Sequence, residues 1–263
     1  MKYFDSHAHF YDERFISEYE GSVDDLIGAL LASDVSHIVN VGTSPKTCRL
    51  AIAQALRYEN MYTALGIHPG DCQYLDEDLD TALADVESLI KDKGNKCVAL
   101  GEIGLDYHYE GYDEEKEKRY FEAQMSLAER LGIPVVIHDR DAHADTLEIL
   151  KKFPNVKGIM HSYSGSVEMA RELIEMGYYV SFSGTLTFKN ARKTPEVAVA
   201  IPRDRVLIET DAPYLAPTPH RGKINHSGYL EYTNGRLAEL WQISSEECAK
   251  ITDENARRLF GIK

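Results

Sequence analysis

The chain has 263 residues, of which 43% are hydrophobic and 27% charged, and its formal net charge is −14. That length fits one large α/β domain with a full core, and the composition is that of an ordinary globular protein. The acidic balance excludes a passive nucleic-acid binder, which needs a basic field, though not an enzyme that meets phosphate through metal ions and a few local cations.

The first apolar run, KYFDSH (2–7), reads as a strand that ends on His7, with His9 just beyond it. SVDDLIGALLASD (22–34) follows as a helix, opened by a Ser22-x-x-Asp25 cap and carrying Leu26, Leu30 and Leu31 on one face. SHIVNVG (36–42) is a second strand. PKTCRLAIAQALRYEN (45–60) is a helix with Pro45 near its start, where a missing N–H costs nothing. The third strand, MYTALGIH (61–68), closes on His68, and the fourth, CVALGEIG (97–104), carries Glu102 late in its length.

DEEKEKRYFEAQMSLAERLG (113–132) is a long helix with a solvated acidic start. Phe121, Met125 and Ala128 share one side of it, and Gly132 is its stop. The strands PVVIHD (134–139) and KGIMHS (157–162) end around His138 and His161. The helix SVEMARELIEMG (166–177) leads to the strand YYVSFSG (178–184), and RVLIETD (205–211) closes on Asp211. The connection after the seventh strand and residues 212–228 are irregular. The last helix, SSEECAKITDENARRLF (244–260), opens with Ser244-x-x-Glu247, and a break is expected near Thr252.

The strands are rich in Val, Ile, Leu and Tyr, as parallel strands buried on both faces are. Eight of them alternating with helices, with no linker, predict a single-domain α/β (β/α)8 TIM-like barrel over residues 1–263. The rival, a doubly wound open sheet, would more often carry a Gly-rich turn after the first strand, where this chain has HAHF. No apolar run approaches the roughly 18 residues of a membrane span, and no secretory leader pattern opens the chain. Cys48, Cys72, Cys97 and Cys248 form no C-x-x-C motif. A soluble cytoplasmic protein without membrane contact is the expectation.

His7, His9, His68, Glu102, His138, His161 and Asp211 all fall at or near the carboxyl end of an expected strand. In a barrel those ends converge on the face where active sites are built. One polar residue ending a strand is more often a cap than a ligand, but seven at one end favour a site. His37, His108, His143, His220 and His226 show no such regularity. Imidazole and carboxylate suit Zn, Mn, Fe or Mg. His7 and His9, two apart on a strand, point the same way. Glu102 has two oxygens and can bridge two ions, and Asp211 can bind a metal and accept a proton from water. Four histidines and two carboxylates suffice for a two-metal centre.

The blocks FDSHAHF, GIHPG, GEIGLDY, PVVIHDR, HSYSG and ETDAPYLAPTPHRGKIN, with TDENARRLFGI at the end, resemble the TatD family of metal-dependent deoxyribonucleases, within the amidohydrolase-type barrels. The resemblance runs through the whole chain in order, and GEIGLDY and ETDAPYLAP are its most specific parts. It implies a barrel that hydrolyses DNA phosphodiesters with two divalent metal ions; a 3′–5′ exonuclease on single strands is the expected mode, while the sequence does not fix exo- or endonuclease action, polarity or strand preference. His7, His9, Glu102 and Asp211 would hold one ion, and Glu102, His138 and His161 the other. His68 and Arg221 would face the substrate phosphate, and Asp211 would also be the general base. The alternative within the same class of barrel is a small-molecule ester, lactone or amide hydrolase.

The family usually has proline where this chain has Ser227, a change expected to bear on the substrate loop, and phenylalanine where it has Tyr163. Related phosphotriesterase-type enzymes bridge their metals with a modified lysine; here Lys96 lies at the wrong end of its strand, and Glu102 takes the bridging place. Lys189, Arg192 and Lys193 form a small basic cluster on the same face, either solvated or touching flanking phosphates. Asp5 is not needed as a ligand and is expected to support an imidazole from behind.

Overall fold

The computed structural model of the protein describes residues 2–263. Eight strands run in parallel: β1 (Tyr3–Ala8), β2 (Val35–Gly42), β3 (Met61–Leu65), β4 (Cys97–Asp106), β5 (Val135–Arg140), β6 (Gly158–Met160), β7 (Tyr179–Phe182) and β8 (Val206–Ile208). Each pairs with the next in chain order, so one sheet winds from β1 to β8 with helices between the strands. The fold is a single-domain TIM-like barrel.

The seam between β1 and β8 is closed past the end of β8. Asp211 N–H donates to the His7 carbonyl at 2.9 Å, and His9 N–H donates to the Ala212 carbonyl at 2.7 Å. Asp5 stitches the same seam. Its buried carboxylate accepts from Thr210 N at 3.0 Å, Thr210 Oγ1 at 2.7 Å and Ser227 Oγ at 2.6 Å. Burial pushes the Asp5 pKa up to about 6, against the pull of those hydrogen bonds. Asp5 therefore ties backbones together and touches no imidazole ring among its hydrogen-bond partners, which corrects the role expected for it. Ser227 is its buried partner at the seam, which places this residue in the barrel closure.

One apolar layer takes a residue from every strand: Phe4, Val39, Ala64, Ala99, Val136, Ile159, Tyr179 and Leu207. Such a layer fills a small barrel. Phe260, from the last helix, stacks on Phe4 with ring centroids 6.0 Å apart and plugs the amino-terminal end. The opposite, carboxyl end is left to polar groups.

Local rules explain the helix ends. Ser22 caps Val23–Ala32 by accepting from Asp25 N, and Ser44 and Thr47 form a reciprocal capping box on Pro45–Ala55. Gly132 ends Glu114–Leu131 in the left-handed region at φ 65°. The structure adds helices Leu79–Lys91, Lys193–Ala200 and Leu230–Trp241 to those expected, and the helix at 45–60 stops at Ala55. The last helix, Ser245–Phe260, continues through Thr252 without the expected break. Thr252 Oγ1 donates to the Cys248 carbonyl at 3.1 Å, so the hydroxyl is satisfied within the helix.

The acidic start of Glu114–Leu131 is not wholly solvated. Glu117 is buried, and it accepts from Asp106 N at 2.8 Å and from Gln73 Nε2 at 3.2 Å. It fixes the end of β4, the strand that carries Glu102.

Candidate active site

Irregularities in β4 aim Glu102 into the barrel mouth. The register between β4 and β5 shifts between Leu100 and Ile103, and a bulge of this kind turns a side chain away from simple alternation. Two residues on, Gly104 has φ 144°, and a Cβ there would collide with the His138 carbonyl. Only glycine lets β4 and β5 approach so closely.

The two oxygens of Glu102 divide between two groups of donors. Oε2 lies 3.3 Å from His7 Nε2 and 3.6 Å from His9 Nε2. Those nitrogens are 3.0 Å apart, and Asp211 Oδ1 stands 3.7 and 3.5 Å from them. Oε1 lies 2.8 Å from His138 Nδ1 and 2.9 Å from His161 Nε2, which are 3.2 Å from each other. Donors bound at 2.0–2.1 Å to a tetrahedral cation stand about 3.3 Å apart. Both groups have that spacing.

Outer hydrogen bonds set which nitrogen of each ring faces inward. His9 Nδ1–H donates to the Val41 carbonyl at 2.7 Å, which leaves Nε2 as its lone pair. His161 Nδ1–H donates to Glu209 Oε1 at 3.2 Å, and His138 Nε2–H to Asp106 Oδ2 at 3.2 Å. When these three rings are neutral, their inward nitrogens are thus lone pairs pointing at carboxylate oxygens and at other ring nitrogens. Such a cluster needs positive charge at its centre, from protons or from cations. His7 Nδ1 is buried without a partner, so this ring's polar attachments all lie on its Nε2 side. The residues fit a pair of divalent ions.

The charge balance agrees. Burial works to raise the Glu102 pKa, but the neighbouring imidazoles, His161 first, and the hydrogen bond to His138 hold it well below the usual carboxylate range. Burial works to lower the His138 pKa, yet hydrogen bonds to Asp106 and Glu102 carry it up to about 9. Asp211 stays below its ordinary value through His9 and the neighbouring imidazoles, despite burial.

His68 differs from the others. It caps the short helix Pro69–Cys72, and its Nδ1 accepts from Gly70 N at 3.0 Å. That makes Nε2 the proton-bearing atom, and it stands 3.7 Å from Glu102 Oε1. Burial and the positive charge of His138 push its pKa down to about 3. A neutral ring with an inward N–H can donate to a substrate oxygen. His68, Glu102 and His138 also lie close enough to group around one ion, but a donor N–H there argues against His68 as a ligand.

These side chains open into a cavity of about 520 Å³ at the carboxyl end of the barrel, with Lys46, Asp71, Arg140 and Tyr214 on its walls. Arg221 lies elsewhere. It is exposed, its guanidinium sits 3.7 Å from the centroid of the Phe188 ring, and it does not line the cavity. Lys189, Arg192 and Lys193 are exposed and outside the lining as well. Lys96 donates to the Tyr58 carbonyl at 2.6 Å, at the opposite end of β4 from Asp106. Tyr163 uses its extra hydroxyl to donate to the Ser166 carbonyl at 2.8 Å.

Sequence reasoning overlooked Asp106 and Glu209. Both stand inside quoted blocks, GEIGLDY and ETDAP, and a buried carboxylate near a barrel rim was the signal available. Glu209 is fully buried and also accepts from Ser162 N at 2.7 Å. Glu209→Gln keeps the shape and removes the charge behind His161. Metal affinity is expected to fall about tenfold to a hundredfold, read by competition with a chromophoric chelator. Unchanged affinity would remove Glu209 from the site.

A model of the TatD-related DNase family matches residues 4–261. The chain is 42% identical over 261 residues to the metal-dependent hydrolase YabD of Bacillus subtilis strain 168, covering 98% of this chain and 99% of that protein. It is 36% identical to the metal-dependent hydrolase YcfH of Escherichia coli K12, covering 98% and 95%. The crystal structure of YjjV, a TatD homologue from Escherichia coli K12, superposes with a TM-score of 0.88 at 28% identity over 99% and 98% of the two chains.

Proposed function

The chain belongs to the TatD-related DNase family of metal-dependent hydrolases, and from that premise we propose that it hydrolyses DNA phosphodiester bonds, as a 3′–5′ exonuclease on single strands. The observation that carries the reading is the division of Glu102 between two donor groups. It suits a pair of divalent ions: His7, His9, Glu102 and Asp211 would hold one, and Glu102, His138 and His161 the other. Bound there, the ions would supply Lewis acidity toward a phosphoryl oxygen and make water a nucleophile at neutral pH.

The remaining work falls to the chain's own groups. Asp211, ionised and 15% exposed, takes the proton of the water that attacks phosphorus. His68 donates its Nε2–H to a phosphate oxygen. Lys46 and Arg140, the cations on the cavity wall, balance substrate charge. Arg221 joins them only by leaving the Phe188 ring. Glu209 and Asp106 hold His161 and His138 in the tautomers that present lone pairs. Four free cysteines support work in the reducing cytoplasm. No helix among the described residues is long and apolar enough to cross a membrane.

The test is a time course on end-labelled single- and double-stranded DNA, with Mg, Mn and Zn supplied separately. A ladder growing from the 3′ end of the single strand is the expected result. Absence of cleavage with every ion would end the proposal. Asp12, Glu13 and Asp71 on the cavity wall oppose a polyanion and favour a second reading, hydrolysis of a small ester, lactone or amide. Assaying such esters beside DNA separates the two.

A further inference from the structure

At the rim of the cavity the molecule leaves aromatic rings in the open. The segment after β4 presents His108, Tyr109 and Tyr112, and Tyr74 joins them from the turn after Pro69–Cys72. Tyr74 is 74% exposed and Tyr109 50%, and Tyr112 between them is half-buried. Ring centroids are 5.3 Å apart between Tyr109 and Tyr112 and 6.2 Å between Tyr112 and Tyr74. A tyrosine ring is a large apolar surface, and a run of them left in water marks a binding face.

This run is continuous with the catalytic cavity. Tyr109 and Arg140 both line it, and the Arg140 guanidinium lies 5.4 Å from the Tyr109 ring centroid. At the other side, a Cβ placed on Gly70 would meet the Tyr112 ring at 3.7 Å, two residues from His68. A chain lying on the rings would reach the cavity that Arg140 and His68 line.

Geometry selects the occupant. Stacked bases in a duplex are parallel and about 3.4 Å apart. Here neighbouring rings are tilted 38° and 83° to one another and stand well beyond that spacing. Bases can lie on two of these rings only if they are splayed from each other, as in a single strand. The chain's net charge of −14 also leaves little long-range pull on a polyanion, so base contact must supply affinity that charge does not.

We propose that Tyr109, Tyr112 and Tyr74 form a stacking platform for the bases of single-stranded nucleic acid, feeding the strand past Arg140 to the Glu102 centre. The proposal rests on the phosphodiesterase reading and adds the residues that choose single strands.

The test compares the metal-loaded parent with Tyr109→Ala, Tyr112→Ala and Tyr74→Ala, and with the Phe variants. KM and kcat are measured on a ten-nucleotide strand and on bis(4-nitrophenyl) phosphate, which has no base. Binding is measured by anisotropy with a cleavage-resistant phosphorothioate strand, intact or abasic. Each platform ring lost is expected to raise KM and Kd for the intact strand about fivefold to a hundredfold. For Tyr112→Ala and Tyr74→Ala, which lie outside the cavity lining, the kcat on the strand and the rate on the small diester should hold, and Phe should restore affinity. Abasic sites should weaken binding to the parent but not to the Ala variants. Ala variants that bind intact and abasic strands as the parent does would overturn the platform, as would a parent that prefers duplex or binds no strand. A parent that binds the single strand tightly, with the ring dependence above, yet cuts neither substrate leaves the platform standing and removes the catalytic reading instead.

Discussion

Glu102→Gln is expected to lower turnover by well over about a hundredfold while the barrel stays folded. Loss of a mere outer partner of a metal ligand costs ten- to a hundredfold, and Glu102 offers one oxygen to each donor group. Its Oε1 meets His138 and His161, and its Oε2 meets His7 and His9. Glutamine fills the same space with one acceptor oxygen and an N–H pair, which repels a cation. The variant should bind fewer than two ions per chain by elemental analysis. Its far-ultraviolet dichroism should match the parent's, since Gly104, which lets β4 and β5 approach, is untouched. A purified Glu102→Gln protein that hydrolyses its substrate at the parental rate would show that the centre is wrongly assigned. Glu102→Asp should fall in between, because a carboxylate one methylene shorter keeps the charge but not the reach to both groups.

Removing the metal should abolish turnover and make the fold easier to melt. Ions that bind only the folded chain stabilise it by mass action, by about 2.7 kcal/mol per site at a hundredfold excess over Kd. At about 2–4 °C per kcal/mol for a domain of this size, chelation should lower Tm by about 5–10 °C for one site emptied. Donor groups crowded as closely as His7 Nε2 and His9 Nε2, 3.0 Å apart, explain why the fall should be seen. Without ions those lone pairs face each other or must take up protons. Differential scanning calorimetry with and without chelator, followed by return of Zn, Mn or Mg, measures both effects. An unchanged Tm together with undiminished activity in chelator would mean that no resident metal serves this site.

The barrel was legible because its cause is local. A strand covered on both faces must be apolar at nearly every position, so eight such runs stand out without any knowledge of their neighbours. The strand ends stood out for the complementary reason: His7, His138, His161 and Asp211 interrupt or terminate those runs with groups that cannot be buried unpaired. The helices Leu79–Lys91, Lys193–Ala200 and Leu230–Trp241 were less visible. Lys193–Ala200 is held by the neighbouring helices Val167–Glu175 and Leu230–Trp241, whereas Leu79–Lys91 does carry a start signal, Asp78 accepting from Thr81 N. Lys193–Ala200 and Leu230–Trp241 have no side-chain cap.

The partners of the site residues belong to the tertiary structure alone. Glu209 reaches His161 across 48 positions of chain, and Ser227 reaches Asp5 across 222. No local pattern reports such a pairing, so Asp5 looked like support for an imidazole and turned out to close the β1–β8 seam. Arg221 stood in a telling motif, but where its flexible side chain rests depends on Phe188, a residue 33 positions earlier (221 minus 188). The sequence by itself determined which chemical groups gather at the mouth, because strand direction and strand ends are written in neighbouring residues. Which oxygen of Glu102 meets which ring, which nitrogen of each ring faces inward and which tyrosines stand open beside them were decided only when distant segments packed. Those choices are set by contacts between residues that the chain keeps far apart.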